Sequence, residues 1–325
     1  MTAGAPPPRW VTADELRRAL DLASLIDALE SGHRRPRAVV ADALIGAGGG
    51  RYLIRSATAP GGVIGSKLVT IFPDNPARER AAVQALIVLF DGSDGAPLAV
   101  LDATELTYWK TAADSGLGSK LLAREDARTL VMVGAGGLAP WLVRGHLTAR
   151  PGLERVLVWN RTGERAAALA AQLRQEGIDA RAAHDLAAAV AEGDIVSTAT
   201  MAREPILRGD WLKPGAHVDL VGGFAPDTRE ADDAVLRRGK LYVDCRESAL
   251  HGVGDVVQPL SAGVIAEADI RGDLYDLVGG GIGRRESARD ITVYKNAGGA
   301  HLDLMVAAAL LKRLDRMQGK AERRP

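Results

Sequence analysis

The 325-residue chain is long enough for two domains of ordinary size, and its 47% hydrophobic and 25% charged residues are the composition of a soluble globular protein. Its 41 basic and 41 acidic residues cancel, which excludes a general attraction to nucleic acid or to an anionic membrane. A single cysteine, Cys245, excludes an internal disulfide framework and a multi-cysteine metal site and fits a reducing compartment.

Residues 1–9 lack the apolar core of a signal peptide, and no apolar run approaches the roughly 18 residues of a membrane span, so a cytoplasmic protein is expected. Thr12-Ala13-Asp14-Glu15 resembles a capping box, and Leu16, Leu20, Ile26 and Leu29 follow at roughly helical spacing, which predicts one or two short helices. After a basic link at 31–37, β-type runs at 39–45, 52–57, 63–72 and 85–90 are separated by glycine, proline and aspartate turns. Strands this close together, with no helix between them, predict an antiparallel sheet. From Asp102 the character changes, and 105–123 reads as a helix anchored by Leu106, Leu117, Leu121 and Leu122 that connects two domains.

Strands and helices then alternate: strands at 130–133, 155–159 and 194–200, helices at 138–149 and 163–175. Further strands are expected at 217–221, 240–244 and 291–294, with a helix at 231–238. Such alternation predicts a doubly wound parallel sheet of the α/β class. A last helix, from about 298 through Leu302, Met305, Val306, Leu310, Leu311 and Leu314, needs an apolar partner and is expected to pack back on the first domain. The charged tail 319–325 is expected to fray.

The most informative stretch is the end of the first strand of this alternation. Gly134, Ala135, Gly136, Gly137, Leu138 and Ala139 fit G-x-G-x-x-A between a buried strand and a helix. The first glycine makes the tight turn, the second lets backbone approach a pyrophosphate, and the small third residue lets the helix pack on the strand. The next strand ends at Asn160-Arg161-Thr162, where an acid would hold the ribose hydroxyls of NAD and an arginine suits the 2′-phosphate of NADP, so Arg161 argues for NADPH, with NADH possible. Thr198-Ala199-Thr200-Met201 follows a later strand and is a candidate floor for the nicotinamide half of the cofactor. Threonine hydroxyls capping a loop would give the same pattern.

Two lysines precede this unit. Lys67 lies inside the run 63–72, where a lysine ordinarily faces solvent. Lys110 is four residues from Asp114 on one helical face, as a surface ion pair would be. No serine, histidine and acid arrangement suggests nucleophilic catalysis, and the six histidines show no metal-ligand spacing, so no metal is expected. His301, at the start of the last helix, reads as a pocket residue or as a packing residue.

Four segments together resemble the ornithine cyclodeaminase/mu-crystallin family: 91–115 (DGSDGAPLAVLDATELTYWKTAADS), the glycine turn with 158–162, 204–230 (EPILRGDWLKPGAHVDLVGGFAPDTRE) and 291–303 (ITVYKNAGGAHLD). The resemblance implies a Rossmann-type domain, 121–296, inserted into an α+β substrate and dimerisation domain, 1–120 with 297–325, and a homodimer. It places the family's substrate-binding lysine on Lys67 and its carboxylate-binding arginine on Lys110, where the charge is kept but the bidentate fork is lost. Arg37 corresponds to another carboxylate-binding arginine through a loop of different length.

The catalytic aspartate of the cyclodeaminases falls on Phe224 of Val221-Gly222-Gly223-Phe224, and a second acid expected shortly after Gly50 is also absent. Without them no general base is in place for deamination. The expectation is therefore an NADPH-dependent reductase of a small carboxylate-bearing imine, such as Δ1-pyrroline-2-carboxylate or Δ1-piperideine-2-carboxylate. Lys67 and Lys110 would hold the carboxylate, Phe224 would face an apolar ring, and Asp114 would favour the positive charge of the imine. The alternatives are ornithine cyclodeamination and non-enzymatic, NADPH-dependent ligand binding.

Overall fold

A computed structural model describes residues 7–282 and 284–321. They divide into two compact units, one running up to Lys110 and resuming at Gly299, the other Thr111–Gly298. The expected boundaries lay at 120/121 and 296/297. No helix among the described residues is long and apolar enough to cross a membrane.

In the first unit, β1 (Arg9–Val11) leads to α1 (Ala13–Ala19) and α2 (Leu22–His33). Thr12 caps α1 in a capping box with Glu15, as the sequence pattern predicts. The strands β2 (Val39–Ala47), β3 (Gly50–Thr58), β4 (Val63–Ile71), β5 (Val83–Asp91) and β6 (Pro97–Asp102) form an antiparallel meander. The expectation of a purely antiparallel sheet needs one correction, because β1 joins β6 in parallel register.

The helix α3 (Leu106–Leu122) contains the division between the units. The second unit continues with β7 (Thr129–Val133), α4 (Ala139–Ala149), β8 (Arg155–Trp159), α5 (Gly163–Gln175), β9 (Ala180–Ala182), α6 (Leu186–Glu192), β10 (Ile195–Thr198) and β11 (His217–Leu220). It closes with α7 (Asp233–Arg238), β12 (Gly239–Val243), α8 (Arg246–Ala249), α9 (Gly254–Ser261), β13 (Ile270–Gly272), α10 (Leu274–Gly279) and β14 (Ile291–Lys295). All eight strands are parallel, in the order β13-β12-β14-β11-β10-β7-β8-β9. The chain starts in the middle at β7, runs outward through β8 and β9, and returns to β10. The switch point where such sheets bind ligands therefore lies beyond the carboxyl ends of β7 and β10.

The chain then re-enters the first unit as α11 (Ala300–Ala321), which includes residues 319–321 of the tail expected to fray; 322–325 lie outside the described residues. Two glycines set how close α11 comes. A Cβ on Gly65 of β4 would stand 2.6 Å from Leu304, and one on Gly32 of α2 would stand 2.4 Å from Met305. The helix thus packs against the first unit's sheet and α2, as its apolar stripe demands.

Candidate active site

In the first unit, the pleat of β4 puts Gly65, Lys67 and Val69 on one buried face. Register carries that face across the sheet, with Lys67 opposite Arg55 of β3 and Arg55 opposite Asp42 of β2. A row of charge is therefore laid down under α11, and Arg55 pairs with Asp42 at 3.4 Å. Because Gly65 admits Leu304, the neighbouring Asp303 reaches Lys67, whose Nζ donates to Oδ1 at 3.1 Å. Both are buried, at 7% and 3% exposure.

Burial pulls the Lys67 ammonium below its usual range; Asp303 opposes this, while Lys110 and Arg55 add to it. Burial alone would raise the Asp303 carboxyl, but the charges of Lys67, Lys110 and Arg55 hold it low. It is an anion among three cations. Among the described residues its Oδ2 is buried without a hydrogen-bond partner.

His301, on the first turn of α11, is also buried and meets His33 at 3.1 Å between their Nε2 atoms. His33 continues the buried stripe Leu22, Ile26 and Leu29 of α2. Its Nδ1 lies 2.7 Å from the Leu29 carbonyl, which only accepts, so Nδ1 carries the proton. The Nε2 of His33 accepts from a neutral His301 when His33 is uncharged and donates to it when His33 is protonated. Burial, His33, Lys110 and Arg37 together keep the His301 imidazole well below its usual pKa. Arg37 itself is exposed.

In the second unit, the glycine turn has the form the motif requires. Gly134 adopts φ of 111°, and a Cβ there would stand 2.6 Å from the Ala199 carbonyl, so only glycine fits. A Cβ on Gly136 would meet nothing within 4 Å. Among the described residues, the N–H groups of Gly136 and Gly137 make no backbone hydrogen bond, and α4 starts without a side-chain cap. Unclaimed donors at a helix N-terminus, with open space in front, fit a pyrophosphate. Asn160 braces the turn, its Oδ1 accepting from the Ala135 N–H at 3.2 Å and its Nδ2 donating to the Thr162 carbonyl at 3.0 Å. Arg161 follows, exposed.

The loop after β10 is held from below. Glu230, fully buried, accepts from the Thr198 hydroxyl at 2.7 Å and from the Thr200 N–H and hydroxyl at 2.6 and 2.7 Å. Asp255 in turn accepts from the Glu230 N–H at 2.7 Å and from Lys295 at 3.1 Å, and Lys295 also donates to the Gly222 carbonyl. Gly222 and Gly223 are required here, since a Cβ on either would overlap Glu230 or Asp255. Beyond this knot Met201 and Phe224 stand 76% and 59% exposed.

Burial and the Asp255 charge push the Glu230 carboxyl up to about 7, against Lys295 and the threonines. A carboxyl whose folded pKa lies above its usual 4.5 favours the folded state fully below pH 4.5 and loses that contribution as pH rises to about 7. Chemical denaturation of wild type and Glu230→Gln should accordingly show a stability difference that declines across this window by on the order of 3 kcal/mol and is flat above it. A difference independent of pH would remove the buried charge from the account.

Lys67 and Lys110 are thus brought together in the first unit, both buried. The surface position expected for Lys110 and Asp114 is not what forms, since both are buried. Asp114 is fully buried, and its Oδ1 accepts from the Tyr294 hydroxyl at 2.6 Å. Sequence reasoning passed over Asp303, His33 and Glu230. A signal existed for Asp303, the only charged residue between Leu302 and Leu311. Glu230 carries none, since in the sequence nothing sets it apart from the chain's other acids.

A model of the ornithine cyclodeaminase/mu-crystallin family matches residues 50–318. The chain is 44% identical over 312 residues to a Δ1-pyrroline-2-carboxylate reductase of Paracoccus denitrificans, covering 96% of this chain and 99% of that protein. Among solved structures, Thermococcus litoralis Δ1-pyrroline-2-carboxylate reductase in complex with NADH and L-proline superposes with a TM-score of 0.88 at 29% identity, covering 95% of this chain and 98% of that one. An archaeal alanine dehydrogenase dimer with bound NAD gives 0.88 at 26% identity, covering 96% and 97%.

Proposed function

Because the chain belongs to the ornithine cyclodeaminase/mu-crystallin family, we propose that it reduces a small cyclic imine bearing a carboxylate, of the Δ1-pyrroline-2-carboxylate type, to the cyclic amino acid. The observation that carries this reading is the cluster of buried Lys67 and Lys110 and half-buried Arg55 around one aspartate, in a chain with Phe224 where the resemblance places the acid of the deaminating members. The bound nicotinamide dinucleotide supplies the hydride. The turn from Gly134 to Ala139, Asn160 and the loop 198–201 hold it, and Arg161 selects the 2′-phosphate of NADPH.

Lys67 and Lys110 neutralise and orient the substrate carboxylate, which is positioning and electrostatics rather than bond chemistry. Their burial strengthens this, because charges act over a lower dielectric there than in water. Phe224 offers an aromatic face to an apolar ring and no base to a substrate amine. Arg37 extends the positive field near His301.

NADPH oxidation with Δ1-pyrroline-2-carboxylate and Δ1-piperideine-2-carboxylate, beside ornithine tested for ammonia release, decides the matter. Turnover of an imine supports the reading. Ammonia from ornithine, or ligand binding with no turnover of either imine, overturns it.

The same reading includes a homodimer. Ile45, Ile64 and Leu86 lie on the face of the first unit's sheet opposite Lys67, and they are 50%, 38% and 36% exposed. Aliphatic side chains exposed on one face of a sheet call for a cover. Light scattering should give twice the 34.2 kDa chain mass for wild type and a shift towards the single mass for Leu86→Lys. A wild-type monomer would end the dimer assignment.

A further inference from the structure

We propose that Asp303 is the group that recognises the nitrogen of the substrate, its Oδ2 accepting the N–H of the protonated imine and of the product amine. This rests on the imine-reductase reading above and names a contact that reading lacks. A protonated imine accepts hydride more readily than a neutral one, so a site for such a reaction needs an anion beside the nitrogen. Sequence spacing offers Asp114 for that role, but Asp114 belongs to the second unit, whereas Lys67, Lys110 and Asp303 all belong to the first.

Asp303 has what is required. It sits in the cluster whose cations suit a carboxylate, so both ends of a zwitterion find their opposite charge within one unit. One oxygen is committed to Lys67 at 3.1 Å, which fixes the carboxylate plane. The other is buried and charged and has no hydrogen bond among the described residues, an arrangement that is costly in the free protein and is relieved by a donor from a ligand. The charged or titratable groups around it are Lys67, Lys110 and Arg55, with Asp42 behind Arg55, and His301 on the same helix. The cations among them keep Asp303 ionised, so it accepts a hydrogen bond and takes no proton. His301 does not serve instead, because burial and the surrounding positive charge hold its imidazole well below its usual range and leave it no negative charge to offer.

The alternative is that Asp303 only orients Lys67, and two ligands separate the cases. L-Proline carries N–H donors, whereas tetrahydrofuran-2-carboxylate has the same ring and carboxylate with an oxygen in place of nitrogen. Calorimetry with the NADP+-loaded protein should show proline preferred by wild type. Asp303→Asn, close in volume, should weaken proline by about 30-fold, the scale of a hydrogen bond to a charged group, and change the oxygen analogue by less than about threefold. Asp303→Glu, which restores the charge, should recover part of the preference. Equal weakening of both ligands would make Asp303 a holder of Lys67 alone and overturn the proposal, as would an unchanged preference. If wild type binds both ligands equally, only this inference falls. If it binds neither and reduces no imine, the function falls with it.

Discussion

Lys67→Met should lower kcat/KM for the imine by about 30- to 5,000-fold and should also destabilise the protein. The two effects have one origin. Methionine keeps the length of the side chain but removes the ammonium, so the substrate carboxylate loses a buried counter-charge. Truncating one partner of such a pair costs about 2–5 kcal/mol. In the free protein the same change leaves both oxygens of Asp303 without a hydrogen bond among the described residues, since its Oδ1 has Lys67 as partner and its Oδ2 has none there. Removing one member of a buried ion pair typically costs about 3–5 kcal/mol, and Lys110 and Arg55 nearby soften the loss. Lys67→Arg, which keeps the charge, should retain more stability than activity. Steady-state kinetics and denaturant unfolding check the two halves separately. Near wild-type turnover in Lys67→Met would take the lysine out of the substrate site.

The second large effect concerns the cofactor. Arg161→Ala should raise the KM for NADPH by about 10–100-fold while leaving NADH within about threefold, because an exposed guanidinium after β8 has only the 2′-phosphate to gain. Its neighbour provides the control. Asn160 is bound to Ala135 and Thr162, so Asn160→Ala loosens the glycine turn, and if that turn takes the pyrophosphate as proposed both cofactors should weaken alike. If Arg161→Ala weakens both equally, or neither, phosphate selection by this residue fails. Fluorescence titration of the reduced dinucleotides gives the affinities without turnover.

Which of these residues could be seen in the sequence follows from how local their physics is. The turn from Gly134 to Ala139 was legible because strand, tight turn and helix start are contiguous, and each glycine answers a constraint within its own neighbourhood. Gly134 at positive φ is one such case. The strands 39–90 were legible from turn residues and β-type runs. Shorter elements were not: β6 followed a long turn signal, and β9, α6, α8, α9, β13 and α10 span eight residues or fewer, too short for a period to show.

Lys67 is the instructive case. In Val63 to Ile71 both strand phases are apolar, with Ile64 and Leu68 on one and Val63, Val69 and Ile71 on the other, so alternation alone could not say which face is inward. Resemblance to a family supplied the answer that periodicity withheld. Asp303 and Glu230 had no such help, and they define the ion cluster and the floor of the loop after β10.

By itself the sequence determined the parallel α/β unit, the glycine turn that opens it, and the arginine that follows the second strand of that unit. Each is a matter of residue type and short-range spacing, fixed by backbone sterics and side-chain period. The tertiary structure alone decided that Lys67 meets Asp303, 236 positions away, and that Glu230 grips Thr198 and Thr200. It also committed Asp114 to Tyr294. Those pairings depend on sheet register and on how closely glycine lets a helix approach. Neither is written in the spacing of any one segment, because the partners come from distant parts of the chain.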